Sequence, residues 1–350
     1  GAQRHAGDAQ RTTVVTLSGG YHGDTVGAMS MGFIRAMHRP FEPLTFRCAR
    51  TQAPDPRRVQ GLGEPGLWPS WDEQRMRAAR DRALDALAQL LEERAGRVAA
   101  FVVEPVVQGA AGMLVQPQGY LHEAAAMVRE AGGLVVADEV ATGFARTGAL
   151  FACQLEEVRP DILCLAKGLS GGYLPIAATL ATEAIAGAFE GEPHEGRTLY
   201  HGHTYTGNAL ACAASLASLE LLERRRLVER GARHSERIRA ALFEALAEHP
   251  HIGDVRNRGV MTGIELVASR DPWTPFAPAV AAAPRVCDEA RRRGLFVRPI
   301  GDVVVFNPAP AMDEATLERC LGILIDAICA VDFTRPATDA LAATPAGAAD

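Results

Sequence analysis

Of the 36 lysines and arginines in this 350-residue chain, one is a lysine, Lys167. Arginine can replace lysine as a surface charge but not as a nucleophile. A guanidinium stays protonated, whereas an amine can be desolvated and deprotonated for Schiff-base chemistry. Lys167 ends the run Asp161-Ile-Leu-Cys-Leu-Ala-Lys167 and is followed by Gly168-Leu-Ser-Gly-Gly172. That pattern predicts a buried strand delivering an amine to a backbone-rich turn, at the strand end where ligands bind in parallel sheets. The plainer alternative is a leftover surface lysine at a strand end.

A Schiff-base lysine does not by itself define a reaction. Its most versatile partner is pyridoxal phosphate, which draws electrons from a bound amine's α-carbon and needs an acid near its pyridine nitrogen. Asp138 ends a second apolar run, Gly133-Leu-Val-Val-Ala-Asp138. A carboxylate and an amine at two such strand ends belong on one rim of a parallel sheet. Asp138 as a helix N-cap is an equally good local reading. Tyr21, in Ser18-Gly-Gly-Tyr-His-Gly-Asp24, could stack on a flat ligand with His22 as a donor beside it; a turn with a half-buried tyrosine is the competing view.

Gly202, His203 and Thr204 form a loop of small donors ahead of a helical segment, suited to phosphate contacts. His201 and His203 lack the neighbouring cysteines or acids that a metal site would need, so no metal is expected. Arg146 and Arg298 are candidate carboxylate clamps, since an arginine fork binds a carboxylate through two parallel bonds. In so arginine-rich a chain, structural ion pairs compete for both.

These residues must be positioned by a sizeable fold. The chain is long enough for a large core, and its net charge of -6 with no long basic stripe argues against nucleic acid. Seven scattered cysteines without a CxxC pair point to a reducing, cytoplasmic setting. No stretch is long and apolar enough to cross a bilayer, so no membrane partner is expected. A nicotinamide dehydrogenase is disfavoured because no GxGxxG follows the first apolar run.

Short apolar runs alternate with helical patterns, which predicts an α/β architecture with a mostly parallel sheet. Strands are expected at 13–17, 99–104, 133–138, 161–166 and 176–181, with helices at 73–95, 118–131 and 207–224. Residues 47–71 read as a long surface excursion carrying Trp68 and Trp71. The pattern then changes: helices at 227–248, 279–293 and 313–331 interleave with strands at 252–257, 260–267, 295–299 and 303–306. The expected division is a large domain over 1–226, a small α+β domain over 227–333, and a disordered tail over 334–350. The chain opens on Gly1 and enters a strand almost at once, so the large domain is expected to be N-terminally incomplete.

The stretches Gly20-Tyr-His-Gly-Asp-Thr25, Glu104-Pro-Val-Val-Gln-Gly109, Ala137-Asp-Glu-Val-Ala-Thr-Gly-Phe-Ala-Arg-Thr-Gly148, Pro160-Asp-Ile-Leu-Cys-Leu-Ala-Lys-Gly168, His201-Gly-His-Thr-Tyr-Thr-Gly-Asn208 and Arg298-Pro-Ile-Gly301 run in one order along nearly the whole chain. Together they resemble the class III pyridoxal-phosphate aminotransferases, and most of all the branch that aminates 8-amino-7-oxononanoate to 7,8-diaminononanoate in biotin biosynthesis. The resemblance implies fold type I of the pyridoxal-phosphate transferases and a homodimer with its active site at the subunit interface.

It implies that Lys167 holds the cofactor and moves the proton, Asp138 pairs with the pyridinium nitrogen, and Tyr21 packs on the ring and touches substrate. His203 and Thr204 would reach the phosphate from the neighbouring subunit. Gly202, Arg298 and Arg146 would contact substrate, and Glu104 would gate a second arginine. The amino donor would be S-adenosylmethionine or lysine. The family's phosphate-binding Gly-Ser segment is not found in residues 1–12. Two further readings stay open: another class III ω-amino acid or diamine transaminase, and a truncated, non-catalytic fragment.

Overall fold

The computed structural model describes residues 1–5, 7–59 and 68–334. Its N-terminal part is built on a six-stranded sheet: β1 (Thr13–Leu17), β2 (Ala49–Thr51), β3 (Val98–Val103), β4 (Leu134–Asp138), β5 (Ile162–Leu165) and β6 (Ala178–Ala181). The spatial order is β2-β1-β3-β4-β5-β6. All neighbours are parallel except β5 and β6. The expected strands are therefore present, within a residue or two of their sequence limits. Five parallel strands put five carboxyl ends on one rim, where the connecting loops collect side chains.

The sheet is covered by helices whose apolar residues repeat at helical spacing. In α2 (Glu73–Glu93), Ala79, Ala83, Leu84, Leu87 and Leu91 are buried. Its first turn is capped by Asp72, whose carboxylate accepts the Gln74 and Arg75 amides. In α3 (Tyr120–Glu130), Leu121, Ala124, Ala125 and Val128 pack with Phe101 and Val135 of the sheet. The short α1 (Val26–Met31) follows the first strand's loop. Next come α4 (Ala209–Arg224), capped by Asn208, and α5 (Leu227–Leu246).

A second, antiparallel sheet follows, of β7 (Ile252–Arg258), β8 (Met261–Leu266), β9 (Arg298–Ile300) and β10 (Val303–Phe306) in the order β9-β10-β8-β7. With α5, α6 (Ala282–Arg292) and α7 (Glu314–Ala330) it encloses a separate apolar core. The expected strand at 295–299 is shorter and later, because Leu295–Val297 lead out of α6 before pairing begins at Arg298.

Of the 47–71 stretch, residues 60–67 lie outside the described residues, and the rest is no mere surface excursion. It supplies edge strand β2, and its Trp68 is fully buried within the core of the second sheet. Trp71 donates its indole N–H to the Val255 carbonyl at 2.8 Å, and the Ser70 hydroxyl donates to Asp254 at 2.6 Å. Trp68 meets Trp71 edge-on at 4.8 Å, and Trp71 stacks on Phe243 of α5 at 5.3 Å. The proposed tail lies, from residue 335 onward, outside the described residues.

One ion-pair network joins the halves, through the Arg57–Glu265 pair. Arg256 of β7, wholly buried, pairs with Asp254 and with Glu265 of β8. Glu265 also holds Arg57, whose other partner is Asp55. Buried charges of this kind must be mutually satisfied, and here they anchor the 55–57 stretch to the second sheet. At Gly259 the backbone has φ +60, and a Cβ would fall 2.2 Å from the Arg146 carbonyl oxygen. Only glycine lets the β7–β8 turn approach the Arg146 loop so closely.

Candidate active site

The rim at the carboxyl ends of β1, β3, β4 and β5 gathers the chemistry. Asp138 is the last residue of β4, and Lys167 lies two residues past the end of β5, opening a single 3-10 turn. The strands are parallel neighbours with Asp138 level with Cys164, so carboxylate and amine share one rim, as the spacing predicted. Lys167 adopts φ +45, an uncommon backbone state for a side-chain-bearing residue. The strand leading to it is half-buried rather than buried, and Lys167 itself is exposed. The amine is therefore open to a ligand on this face.

Asp138 is nearly buried, and its Oδ2 stands 2.7 Å from Nδ1 of His22. Its Oδ1 accepts the Val140 amide at 3.1 Å. This is an Asx-type turn and not the helix cap that was the alternative, since no helix follows directly. His22 comes from the loop after β1, which also carries Tyr21. That loop is pinned in two ways. Gly32, just past α1, lies where a Cβ would strike the His22 nitrogen at 2.6 Å and the Tyr21 Cα at 2.8 Å. The Tyr21 amide donates to Glu104 Oε1 at 3.0 Å.

Tyr21 is half-buried. Its hydroxyl donates to Asp24 Oδ2 at 2.8 Å, and its ring stacks on His38 at 6.0 Å. Burial and the Asp24 carboxylate raise the phenol above its ordinary range. Asp24 is lowered by the same hydroxyl and by His38.

Glu104, one residue past β3, is the site residue whose connections sequence reasoning missed. Its other oxygen accepts the Gly109 amide at 2.9 Å, so both oxygens are taken by main-chain N–H groups and neither faces an arginine. The arginine gate implied by the resemblance is not formed by these contacts. Burial drives its carboxyl up to about 7, against the pull of His22 and the two amides. The one signal for this was an acid within an otherwise apolar strand end, Val102-Val-Glu-Pro-Val106.

The remaining candidates are spread further apart. Arg146 donates to the Pro308 carbonyl at 2.8 Å and to Asn307 Oδ1 at 3.1 Å. Burial lowers its pKa, with no carboxylate contributing. A desolvated guanidinium bound, among the described residues, by neutral oxygens is suited to a ligand carboxylate. Arg298 begins edge strand β9 and is exposed. Gly202, His203 and Thr204 are exposed in the loop ahead of α4, where the Thr206 hydroxyl accepts the His203 amide at 3.1 Å. Among the described residues, no hydrogen bond joins them to the Asp138 cluster, and no group of histidines, cysteines and acids could hold a metal.

An exposed amine and a buried carboxylate thus share one parallel rim, with an aromatic turn beside them. Residues 1–328 match the model of the class-III aminotransferases, and the chain belongs to that family. It is 46% identical over 329 residues to the adenosylmethionine-8-amino-7-oxononanoate aminotransferase of Nitratidesulfovibrio vulgaris, covering 94% of this chain and 58% of that relative. The enzyme of the same name from Anoxybacillus flavithermus is 43% identical, with 93% of this chain and 69% of the relative covered.

Among solved structures, the Methanocaldococcus jannaschii enzyme of that name superposes with a TM-score of 0.82 at 37% identity, covering 95% of this chain and 71% of that one. A PLP-bound amine transaminase from an uncultivated Pseudomonas species gives 0.84 at 32% identity, covering 94% and 72%. The fold is type I of the pyridoxal-phosphate transferases. The chain spans little more than half the length of the first of these relatives.

Proposed function

We propose that this chain is the catalytic part of a pyridoxal-phosphate aminotransferase that converts 8-amino-7-oxononanoate to 7,8-diaminononanoate in biotin biosynthesis, with S-adenosylmethionine or lysine as donor. The observation that carries the reading is the placement of Asp138 at the end of one parallel strand and Lys167 just past the end of its neighbour, in a chain of this family. The residues present fit the cofactor: an exposed amine, a carboxylate already oriented by His22, and an aromatic ring on a pinned turn.

When bound, pyridoxal phosphate supplies an electron sink for the α-carbon of an amine. Lys167 Nζ would hold the cofactor and, once released from it, would serve as the base that takes the proton from the donor carbon and returns it as an acid. Asp138, oriented by His22, would face the ring nitrogen. Tyr21 would lie against the ring. Arg298, with Arg146 and Gly202, orients the carboxylate-bearing acceptor.

His203 and Thr204 are assigned to the phosphate of a second subunit's site. Their exposure supports this, as do the apolar side chains left uncovered around them: Tyr200 at 91%, Tyr205 at 82% and Leu210 at 74%. A homodimer would cover such a surface. The seven unpaired cysteines support a cytoplasmic location.

The test is borohydride reduction of the chain after incubation with pyridoxal phosphate, followed by peptide mapping. A pyridoxyl adduct on Lys167 is expected; an adduct elsewhere, or none, rejects the assignment. The rival reading, an ω-amino acid or diamine transaminase, draws on neighbours such as the amine transaminase above. Turnover with pyruvate or 2-oxoglutarate as acceptor, and none with 8-amino-7-oxononanoate, would favour it.

A further inference from the structure

We propose that Glu104 is a positioning residue: its carboxyl group ties the Tyr21 turn to the β3 rim and so holds, and acts on, the His22 imidazole that meets Asp138. The purpose of this arrangement rests on the pyridoxal-phosphate reading, but the test does not.

The geometry is specific. The two oxygens of one carboxyl group receive the amides of Tyr21 and Gly109, at 3.0 and 2.9 Å, from loops that follow different strands. The Glu104 carbonyl oxygen is taken in turn by the Gln116 side chain at 3.0 Å. Glu104 is thus fixed from both ends, and Tyr21 cannot shift without breaking a buried bond. His22 follows Tyr21 directly, so the same bolt fixes the imidazole that meets Asp138.

The charged groups facing Glu104 are His22, which favours its anion, and Asp138, which opposes it; the Tyr21 and Gly109 amides complete its surroundings. His22 is thus bonded to Asp138 and lies within electrostatic reach of Glu104. Burial raises Glu104 to about 7, against the pull of His22 and the two amides. A charge appearing on Glu104 must be felt at His22. A carboxyl group that only filled space would have no such effect.

The experiment uses the cofactor-free chain, labelled with 15N-histidine. His22 is assigned by the resonances lost in His22→Asn. Its ring nitrogen shifts are followed from about pH 5.5 to about 8.5, a range that brackets histidine's own titration. The parent curve should carry, besides the imidazole's own protonation, the charge that appears on Glu104 near 7. Glu104→Gln should therefore give a His22 curve displaced from the parent's. Glu104→Asp should also move the midpoint, because its shorter side chain changes the distance from the charge to His22. A Glu104→Gln curve that superimposes on the parent overturns the proposal. If Glu104→Gln does not fold, Glu104→Asp decides: an unmoved midpoint overturns it and a moved one supports it. Failure of the cofactor reading would show in the borohydride map and leave these curves unchanged.

Discussion

His22 Nδ1 meets Asp138 Oδ2 at 2.7 Å across 116 residues of sequence, with side chains only 4% and 12% exposed. A hydrogen bond to a charged group contributes about 1.5–3 kcal/mol, so His22→Ala should weaken pyridoxal phosphate binding about tenfold to a hundredfold. Asp138→Asn strips the carboxylate from a nearly buried pair. Losing one partner of such a pair costs about 3–5 kcal/mol, so the turnover rate should fall by roughly two to four orders of magnitude. Cofactor titration by absorbance, beside steady-state rates, checks both. Equal binding by parent and His22→Ala would show that the imidazole does not orient the acid.

Lys167→Ala should abolish the borohydride adduct and turnover while leaving the fold intact. The side chain is exposed, and surface changes usually stay within about 0.5 kcal/mol. Mass spectrometry of the reduced chain and a thermal melt read the two halves of this expectation. Lys167→Arg should fail equally, since a guanidinium cannot take the place of the nucleophile.

Arg298 and Arg146 should separate by their second readout. Arg298→Ala removes an exposed fork and should raise KM for the carboxylate-bearing acceptor about tenfold to a hundredfold, with an unchanged melting temperature. Arg146→Ala also breaks bonds to Asn307 and Pro308, so stability should drop by about 1–3 kcal/mol. Denaturant unfolding alongside acceptor saturation curves distinguishes the pair.

Glu104 also ties stability to pH. Its folded value is raised from 4.5 to about 7, so its contribution is fully present below the unfolded value and is lost as pH rises through about 7. The span corresponds to about 3 kcal/mol at most. Glu104→Gln should remove that decline. The difference in unfolding free energy between the two proteins should therefore change between about pH 4 and about pH 8. A constant difference across that range would contradict the raised value.

The elements were legible wherever a period ran long enough. The apolar runs ending at Asp138 and Lys167 read as strands and are strands, and their shared rim followed from parallel pairing. The α2 stripe was plain for the same reason. Contacts made across the fold by unpatterned residues were hidden. Ala49–Thr51 is three residues long, too short for a period, and pairs only because β1 offers its edge. Trp68 sits in a Pro- and Gly-rich stretch that reads as surface, yet its indole reaches a core built mainly from residues beyond 238. The Glu104 bonds go to main-chain amides, which carry no signature in side-chain spacing.

That indole bears on how the molecule can be divided. A polypeptide starting at Leu227 would carry every strand and helix of the antiparallel half but none of the plug that fills its interior. It would be left with an indole-sized void beneath Phe243 and an uncapped Val255 carbonyl. The C-terminal half is thus finished by a thread cast from before α2, and separate expression should yield a loosened, sticky product until a peptide spanning Trp68 to Trp71 is supplied.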